Sequence, residues 1–285
     1  MALAEFIRRN EPGARGFSAQ NLWRMRQFFE TWRGFSKLSP LVRELTWTHN
    51  LIILGQCKRP EEREFYLRLC QRERWSKRDL ERQIRACLSE RAVLQPPKLA
   101  PLVGELHPQA EAMFKDSYVL DFLDLPQEHS ERELQRALVA RLKDFLLELG
   151  PDFCFSGQEV RIQVGSRDFF LDLLFYHRTL QCLVAFDLKI GRFEPEYLGK
   201  MEFYLEALDR DVKKPHEGPS IGVLLCATKD NEVVEYALAR SVSPALIAEY
   251  QTALPDKQLL QRKLHEFYQL ASPGEGKVKG TTHKA

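Results

Sequence analysis

Long hydrophobic stretches are absent from this sequence. No apolar run approaches the ~18 residues that a transmembrane helix needs, so no membrane span is predicted. The first residues, MALAEFIRR, also lack the order of basic region, apolar stretch and small-residue cleavage site that defines a secretory signal peptide. We therefore expect a cytoplasmic protein that has no membrane partner.

Cysteine patterns for metals or disulfides are also missing. The six cysteines lie far apart and none forms a C-x-x-C pair: Cys57, Cys70, Cys87, Cys154, Cys182 and Cys226. This spacing argues against a zinc cluster or a disulfide framework and favours buried thiols. The motifs GxxxxGK[ST] and GxGxxG and the nucleophile elbow are absent too, so NTPase, dinucleotide-binding and serine-hydrolase functions have no support.

Glycine and proline number only 15 each in 285 residues, and 44% of the chain is hydrophobic, which excludes a collagenous or mostly disordered protein. The formal net charge of +2 conceals an uneven distribution. Residues 1–95 carry 19 Lys/Arg and 11 Asp/Glu, a net +8, whereas the remainder carries 23 and 29, a net −6. A basic half joined to an acidic half suggests one part that binds a polyanion and one that holds cations.

The first 95 residues have the sequence pattern of helices. Ser18 precedes apolar residues at helical spacing, and further helix starts lie at Pro60 and Ser76. We predict an all-helical, basic domain over 1–95 that engages DNA, with its last helix running from Ser76 through Arg91.

The pattern changes after this helical region. Prolines interrupt it near residue 96, and we predict a linker over 96–115. Helices then alternate with short β-branched or aromatic runs, so an α/β domain with a mixed sheet is predicted over 116–271. The Gly-, Lys- and Thr-rich residues 272–285 are predicted to form a disordered tail.

Two predicted strands carry aspartates among apolar residues. Asp172 lies inside one strand, where burial of an unpaired carboxylate is costly. The next strand ends with Asp187 and Lys189, which share one face because side chains alternate along a strand. An even-length hairpin loop that pairs residue 172 with residue 185 places Asp172 one diagonal step from Asp187 on the same face.

Two carboxylates beside one ammonium suit phosphodiester hydrolysis. Carboxylate oxygens are the ligands that Mg²⁺ prefers, and the metal polarises the phosphate and helps to generate hydroxide. The lysine positions the attacking water or stabilises charge on the phosphoryl oxygens. The alternative is a buried Asp187–Lys189 pair that only neutralises itself, but the second aspartate favours the metal site.

The spacing of these residues resembles that of a known family. The pattern is similar to that of the PD-(D/E)xK nuclease superfamily and, within it, of the bacterial YhcG-like family. It consists of an acidic helix, then Asp172, then 14 residues, then Asp187-Leu188-Lys189. The resemblance covers roughly residues 16–270. The segments that carry it are 16–18, 21–22, 25–26, 47–49, 62–66, 82–84, 168–178, 187–191, 193–196, 199–205, 219–222 and 235–238.

The resemblance implies a restriction-endonuclease-like fold for the C-terminal domain. Carried over residue by residue, it implies that Asp172 and Asp187 are metal ligands and that Lys189 is the catalytic lysine. It also implies an additional metal ligand at Glu133, for which a solvated helix-start acid is an equal alternative. Lys200 occupies a helix position where many relatives have glutamine. Two roles are open for its side chain, contact with a phosphate and a simple surface charge.

Three features depart from the family pattern. Leu171 replaces the motif's proline, which is a common relaxation. Asp187 replaces the glutamate of the third motif, and its shorter side chain shifts the metal geometry. Relatives carry an additional helical segment ahead of Gly16, so a truncated N-terminal domain is an expectation here.

A cluster of cations precedes one predicted helix in the basic half. These residues could bind phosphates, whereas a solvated surface is the alternative, and the net charge of +8 favours contact. The cluster consists of Arg72, Arg74, Lys77 and Arg78.

The predicted function is Mg²⁺-dependent, endonuclease-type hydrolysis of phosphodiester bonds, with Mn²⁺ as the alternative metal. Nucleic acid is the expected partner, with DNA preferred over RNA, in a bacterial DNA-processing or defence role. The alternative is a catalytically inactive nucleic-acid-binding or assembly protein on a nuclease fold. A homo-oligomer is left open.

Overall fold

The computed structural model describes residues 2–34, 39–126 and 128–271, and the predicted tail over 272–285 lies outside this range. The chain divides into two compact units between Arg85 and Ala86. No helix among the described residues is long and apolar enough to span a bilayer.

The first unit is helical, as the sequence predicts. Its core is formed by fully buried side chains such as Ile53, Tyr66 and Leu80. The Ser18 side chain accepts a hydrogen bond from the Asn21 N–H and so caps the second helix. The helices are α1 (Ala2–Asn10), α2 (Ala19–Trp32), α3 (Ser39–Glu44), α4 (Trp47–Gln56), α5 (Pro60–Glu73) and α6 (Lys77–Arg85).

The helix predicted from Ser76 through Arg91 is in fact two helices. Helix α6 ends at Arg85, Cys87 adopts a left-handed backbone conformation with φ of 52°, and α7 (Leu88–Leu94) then begins. No glycine or proline marks this break, so the sequence carries no signal for it. The compact units divide here, whereas composition places the boundary at residue 95.

The second unit is a mixed α/β structure, which confirms the predicted fold class. A six-stranded sheet has the order β1-β6-β5-β4-β3-β2, in which β2, β3 and β4 are antiparallel neighbours and the other pairs are parallel. The strands are β1 (Ser117–Val119), β2 (Phe153–Val164), β3 (Arg167–His177), β4 (Cys182–Arg192), β5 (Ile221–Thr228) and β6 (Ala245–Gln251). The helices are α7, α8 (Pro101–Leu106), α9 (Glu131–Ala140), α10 (Leu142–Leu149), α11 (Tyr197–Ala207), α12 (Asn231–Leu238) and α13 (Lys257–Ala271).

Helix α8 lies within the range predicted as a linker, and Val103 of this helix belongs to the core of the second unit. Strands β1 and β6 are absent from the sequence-based description because β1 has three residues and β6 is a short apolar run that resembles a buried helix segment. Helix α11 packs closely on β5, where a Cβ added to Gly222 would lie 2.5 Å from Met201. Any larger residue at position 222 would therefore force the Met201 side chain to shift.

The register predicted for the β3–β4 hairpin is wrong by two residues. Residue 185 pairs with Leu174 and not with residue 172, because the loop spans 178–181. Gln181 adopts a left-handed conformation, with φ of 52°, where the sequence offers no glycine to indicate the turn. A shift of two residues preserves the face of every side chain, so Asp172 and Asp187 remain on one face.

Candidate active site

Strands β3 and β4 separate at the predicted site. The last pair of their ladder is Leu173 with Phe186, and beyond it Asp172 Oδ2 accepts a hydrogen bond of 2.8 Å from the Leu188 N–H. The Asp172 carboxylate thus accepts the hydrogen bond of a β4 backbone N–H that has no ladder partner on β3 at this point. Gln135 of helix α9 donates a 2.8 Å hydrogen bond to the backbone carbonyl of Asp172 and fixes β3 at this point.

Asp187 is held by two ammonium groups. Its side chain is 1% exposed, with Lys200 Nζ 2.9 Å from Oδ1 and Lys189 Nζ 2.5 Å from Oδ2. Lys189 is buried and donates a 3.1 Å hydrogen bond to the Leu188 carbonyl, whereas the Lys200 side chain is 49% exposed. The structure therefore brings Asp172, Asp187, Lys189 and Lys200 together.

Helices α9 and α11 complete the surroundings of the two lysines. Lys189 Nζ lies 3.7 Å from Glu131 Oε1 and 5.2 Å from the centre of the Tyr197 ring. Lys200 Nζ lies 5.2 Å from the centre of the Tyr204 ring. Each ammonium thus has a carboxylate and an aromatic face nearby, both of which stabilise a cation.

The ionisation of the site follows from burial and close charges. Burial raises the pKa of Asp172, the negative charge of Asp187 raises it further, and the Leu188 hydrogen bond opposes the shift. Burial lowers the pKa of Lys200, but the hydrogen bond and charge of Asp187 outweigh this effect, so the pKa of Lys200 is raised. The carboxylate Asp172 consequently binds a proton more readily than an exposed aspartate does.

Asp172→Asn is expected to stabilise the metal-free protein in a pH-dependent way. Because the folded-state pKa of Asp172 is raised, its ionisation costs stability as the pH rises above the unfolded value of about 3.9. Asparagine removes this cost and still accepts the Leu188 hydrogen bond. In EDTA, the melting temperature of the variant should exceed that of wild type at neutral pH, and the difference should vanish below about pH 4.

Asp168→Asn is the matched control, since Asp168 lies on the same strand but is exposed and pairs with Arg161 at 2.9 Å. This control should show no stabilisation at neutral pH. A gain for Asp172→Asn that is equal at every pH would contradict the electrostatic explanation.

Glu133 does not join the site. Its carboxylate accepts hydrogen bonds of 2.7 and 2.8 Å from the backbone N–H and the hydroxyl of Ser130, which form a capping box at the start of α9. The backbone hydrogen bond from Ser130 lowers the pKa of the exposed Glu133 carboxyl. The acid on α9 that approaches Lys189 is Glu131.

Sequence reasoning missed Glu131, Gln135, Tyr197 and Tyr204. A signal existed for the first two, because Ser130-x-x-Glu133 is a capping-box pattern, which assigns Glu133 to the helix end. Residues 131 and 135 are then four apart and share a helix face. No comparable signal marks the two tyrosines.

The predicted phosphate-binding cluster lies on the surface of the first unit. Arg72 pairs with Glu73, Arg74 ends α5 in a left-handed conformation, and Lys77 lies 3.8 Å from Glu81. The four side chains are exposed: Arg72, Arg74, Lys77 and Arg78.

The donors at the carboxylate pair fit a divalent cation. Asp187 Oδ2 is buried and accepts no hydrogen bond among the described residues, because the contact from Lys189 is an ion pair without hydrogen-bond geometry. Carboxylate oxygens suit Mg²⁺, but a cation at this oxygen would have to displace the Lys189 ammonium, which lies 2.5 Å away. Within the described ranges, however, no group of three or more His, Cys, Asp or Glu side chains is arranged to hold a metal.

Comparison with known sequences identifies the family. A domain described as the YhcG PDDEXK nuclease domain matches residues 111–265, and the DUF1016 N-terminal domain matches residues 1–91. The Escherichia coli (strain K12) protein named "Putative nuclease YhcG" is 36% identical over an alignment that covers 88% of this chain and 75% of that protein. The chain belongs to the YhcG PDDEXK nuclease family. The domain match confirms the restriction-endonuclease-like fold of this YhcG-family chain.

Three solved structures also resemble this YhcG-family chain. A repair endonuclease from Pyrococcus abyssi matches with a TM-score of 0.30 and 14% identity, over 46% of this chain and 50% of that chain. EndoMS in its apo form matches with a TM-score of 0.28 and 16% identity, over 46% of this chain and 49% of that chain. A complex of EndoMS with dsDNA matches with a TM-score of 0.29 and 16% identity, over 47% of this chain and 49% of that chain. This chain spans about half the length of each solved chain.

Proposed function

We propose that this chain is a divalent-metal-dependent nuclease that hydrolyses phosphodiester bonds in DNA. The observation that carries the proposal is the convergence of Asp172, Asp187 and Lys189 where β3 and β4 separate. Buried charges are costly, and two carboxylates beside one another repel, so such a cluster is typical of a functional site. Membership of a nuclease family supports the same conclusion.

Asp172 and Asp187 would hold the metal, with Mg²⁺ as the first candidate and Mn²⁺ as the alternative. When bound, the cation would polarise the phosphate and lower the pKa of a bound water. Glu131 extends the acidic surface toward α9, since it lies 3.7 Å from the same ammonium that contacts Asp187.

The two lysines have different surroundings, which support different roles. Lys189 is buried and fixed by Asp187 and the Leu188 carbonyl, so its ammonium can orient the attacking water or stabilise charge on the phosphoryl oxygens. Lys200 is half-exposed on α11, so its ammonium can reach a phosphate of the substrate.

The basic cluster of the first unit would bind the DNA backbone. Replacing its four cations by glutamine should reduce the slope of log affinity against log salt by up to about 3.6, because each phosphate contact on duplex DNA contributes about 0.9. Binding to duplex DNA over a range of salt concentrations measures this change. The variant changes Arg72, Arg74, Lys77 and Arg78.

A matched control removes four exposed cations from the second unit. It should alter the salt slope much less, and equal effects of the two variants would contradict a specific role for the basic cluster. The control changes Lys143, Arg178, Arg210 and Lys214, all to glutamine.

A second candidate function is an inactive nucleic-acid-binding or assembly protein. The observation in its favour is that both Asp187 oxygens contact ammonium groups, so the charge of this buried carboxylate is balanced without a metal. In this alternative, the nuclease fold would bind nucleic acid and leave it intact.

A cleavage panel separates the two candidates. Purified protein is incubated with supercoiled, linear, branched and single-stranded DNA and with RNA, in Mg²⁺, in Mn²⁺ and in EDTA. The nuclease proposal expects DNA cleavage with metal and none in EDTA. Binding without cleavage of any substrate in either metal supports the inactive alternative.

A further inference from the structure

The β2–β3 hairpin continues beyond the point where β4 separates from β3, next to the carboxylate pair. The ladder of β3 with β4 reaches only Leu173, whereas pairing of β3 with β2 continues to Arg167 opposite Val164. Residues 160–172 therefore form a two-stranded extension, called here the hairpin arm. Asp172 lies at the base of this arm.

The two faces of the hairpin arm differ in polarity. Ile162 and Leu171 are buried and belong to the core of the unit. Side chains of the other face alternate with them, and Arg161 and Asp168 form an exposed ion pair of 2.9 Å there. Phe170 pairs directly with Arg161 across the strands, so it lies on this polar face.

Phe170 is an exposed aromatic residue beside the active site. Its side chain is 56% exposed on a face that is otherwise polar. Phe170 and Asp172 are two residues apart on β3, which places their side chains on the same face about 7 Å apart along the strand. Single exposed aromatic residues are common on protein surfaces, but Phe170 stands two residues from the candidate metal ligand Asp172, where its ring can contact the base of a bound nucleotide.

Helix α11 holds the backbone of the arm in place. The Tyr204 hydroxyl donates a 2.7 Å hydrogen bond to the Phe170 carbonyl, and the Phe169 and Phe203 rings pack with their centres 4.6 Å apart. The same helix carries Lys200, whose ammonium lies over the Tyr204 ring. One rigid element thus positions the Phe170 backbone and a cation that contacts Asp187.

We infer that Phe170 stacks on the nucleobase next to the phosphate bound at Asp172 and Asp187, and that it selects single-stranded or locally unpaired nucleic acid. This inference rests on the proposed nuclease function. An aromatic ring can stack on any base, but a base inside a duplex already has neighbours on both faces and must first be extruded. An unpaired nucleotide offers its face without that cost.

The test compares binding of single-stranded and duplex oligodeoxynucleotides of the same sequence. The full chain carries Lys189→Met to suppress turnover, with Mg²⁺ present. Adding Phe170→Ala should weaken single-strand binding about 5- to 150-fold, the loss of one stacked base, and leave duplex binding unchanged. Tyr236→Ala, which removes an aromatic side chain 78% exposed on α12, is the matched control and should change neither affinity.

Phe170→Trp provides a spectroscopic signature of stacking. The natural tryptophans, Trp23, Trp32, Trp47 and Trp75, all lie in the first unit, so a tryptophan at position 170 would be the sole one in the second unit. Its fluorescence should be quenched by single-stranded DNA, and single-strand affinity should be retained.

Unchanged single-strand binding by Phe170→Ala, an equal loss for single strands and duplexes, or no quenching in Phe170→Trp would overturn the inference. Cleavage assays with Lys189 intact distinguish this failure from failure of the proposed function. If the Lys189-containing protein cuts DNA but Phe170→Ala keeps its single-strand affinity, only the inference fails. If it cuts nothing while the stacking results hold, only the nuclease proposal fails, and the absence of any nucleic-acid binding overturns both.

Discussion

Asp187→Asn is expected to abolish metal-dependent cleavage by the full chain. Asparagine keeps the shape of the side chain, but it lacks the negative charge that would hold a divalent cation beside Asp172. The loss of several kcal/mol of charge stabilisation corresponds to a fall in rate of about 10³-fold. Single-turnover cleavage of labelled DNA in Mg²⁺ measures this fall.

The same substitution should leave the protein folded. Lys189 keeps its contact with Glu131, so the free energy of unfolding should fall by less than the about 3–5 kcal/mol expected when a buried charge loses its only partner. Asp230→Asn is the matched control, because Asp230 is partly exposed and pairs with Arg192. Equal losses of cleavage in the two variants would contradict the role assigned to Asp187.

Lys189→Met is expected to lower turnover by about 10²- to 10³-fold, as removal of one stabilising donor does in other active sites. Metal affinity should be retained, because an ammonium is not a metal ligand and its loss leaves the Asp187 oxygen more accessible. Asp187 keeps Lys200 as a partner at 2.9 Å, so the variant should fold. Single-turnover kinetics and calorimetric titration with Mn²⁺ measure the two quantities separately.

Lys98→Met is the control for this variant. Lys98 also contacts a backbone carbonyl, that of Asn231, and a carboxylate, that of Glu235, but it lies outside the site. It should leave cleavage unchanged. A purely structural Asp187–Lys189 pair predicts the opposite pattern for Lys189→Met, namely early melting together with a wild type that shows no cleavage.

The centre of the candidate site could be predicted from sequence because charged residues inside apolar strands are conspicuous. Asp172, Asp187 and Lys189 stand at positions where burial without a function is costly. Side-chain alternation then gives the shared face for any hairpin loop of even length. The prediction therefore tolerated an error of two residues in pairing, which arose because the loop spans 178–181 and not 177–180.

Features that depend on tertiary packing could not be predicted in the same way. The break at Cys87 has no glycine or proline to mark it, and strand β6 resembles a buried helix segment. The contribution of α9 could have been predicted in part, since the capping box explains Glu133 as a helix cap. Glu131 is then the other acid of the first turn, and it is the one that lies near Lys189. The separation of β3 from β4 at Asp172 arises from hydrogen bonds between distant residues, which no local pattern encodes.

We propose above that the Asp172–Asp187–Lys189 cluster is a metal-dependent nuclease site. The most direct test is the single-turnover cleavage rate of wild type, Asp187→Asn and Lys189→Met, purified identically and assayed on the same DNA with Mg²⁺ and with EDTA. We expect wild type to cleave DNA with Mg²⁺ and not in EDTA, and we expect both variants to lose at least about 10²-fold in rate. Wild-type rates in either variant, or no cleavage by wild type in Mg²⁺ or Mn²⁺, would contradict it.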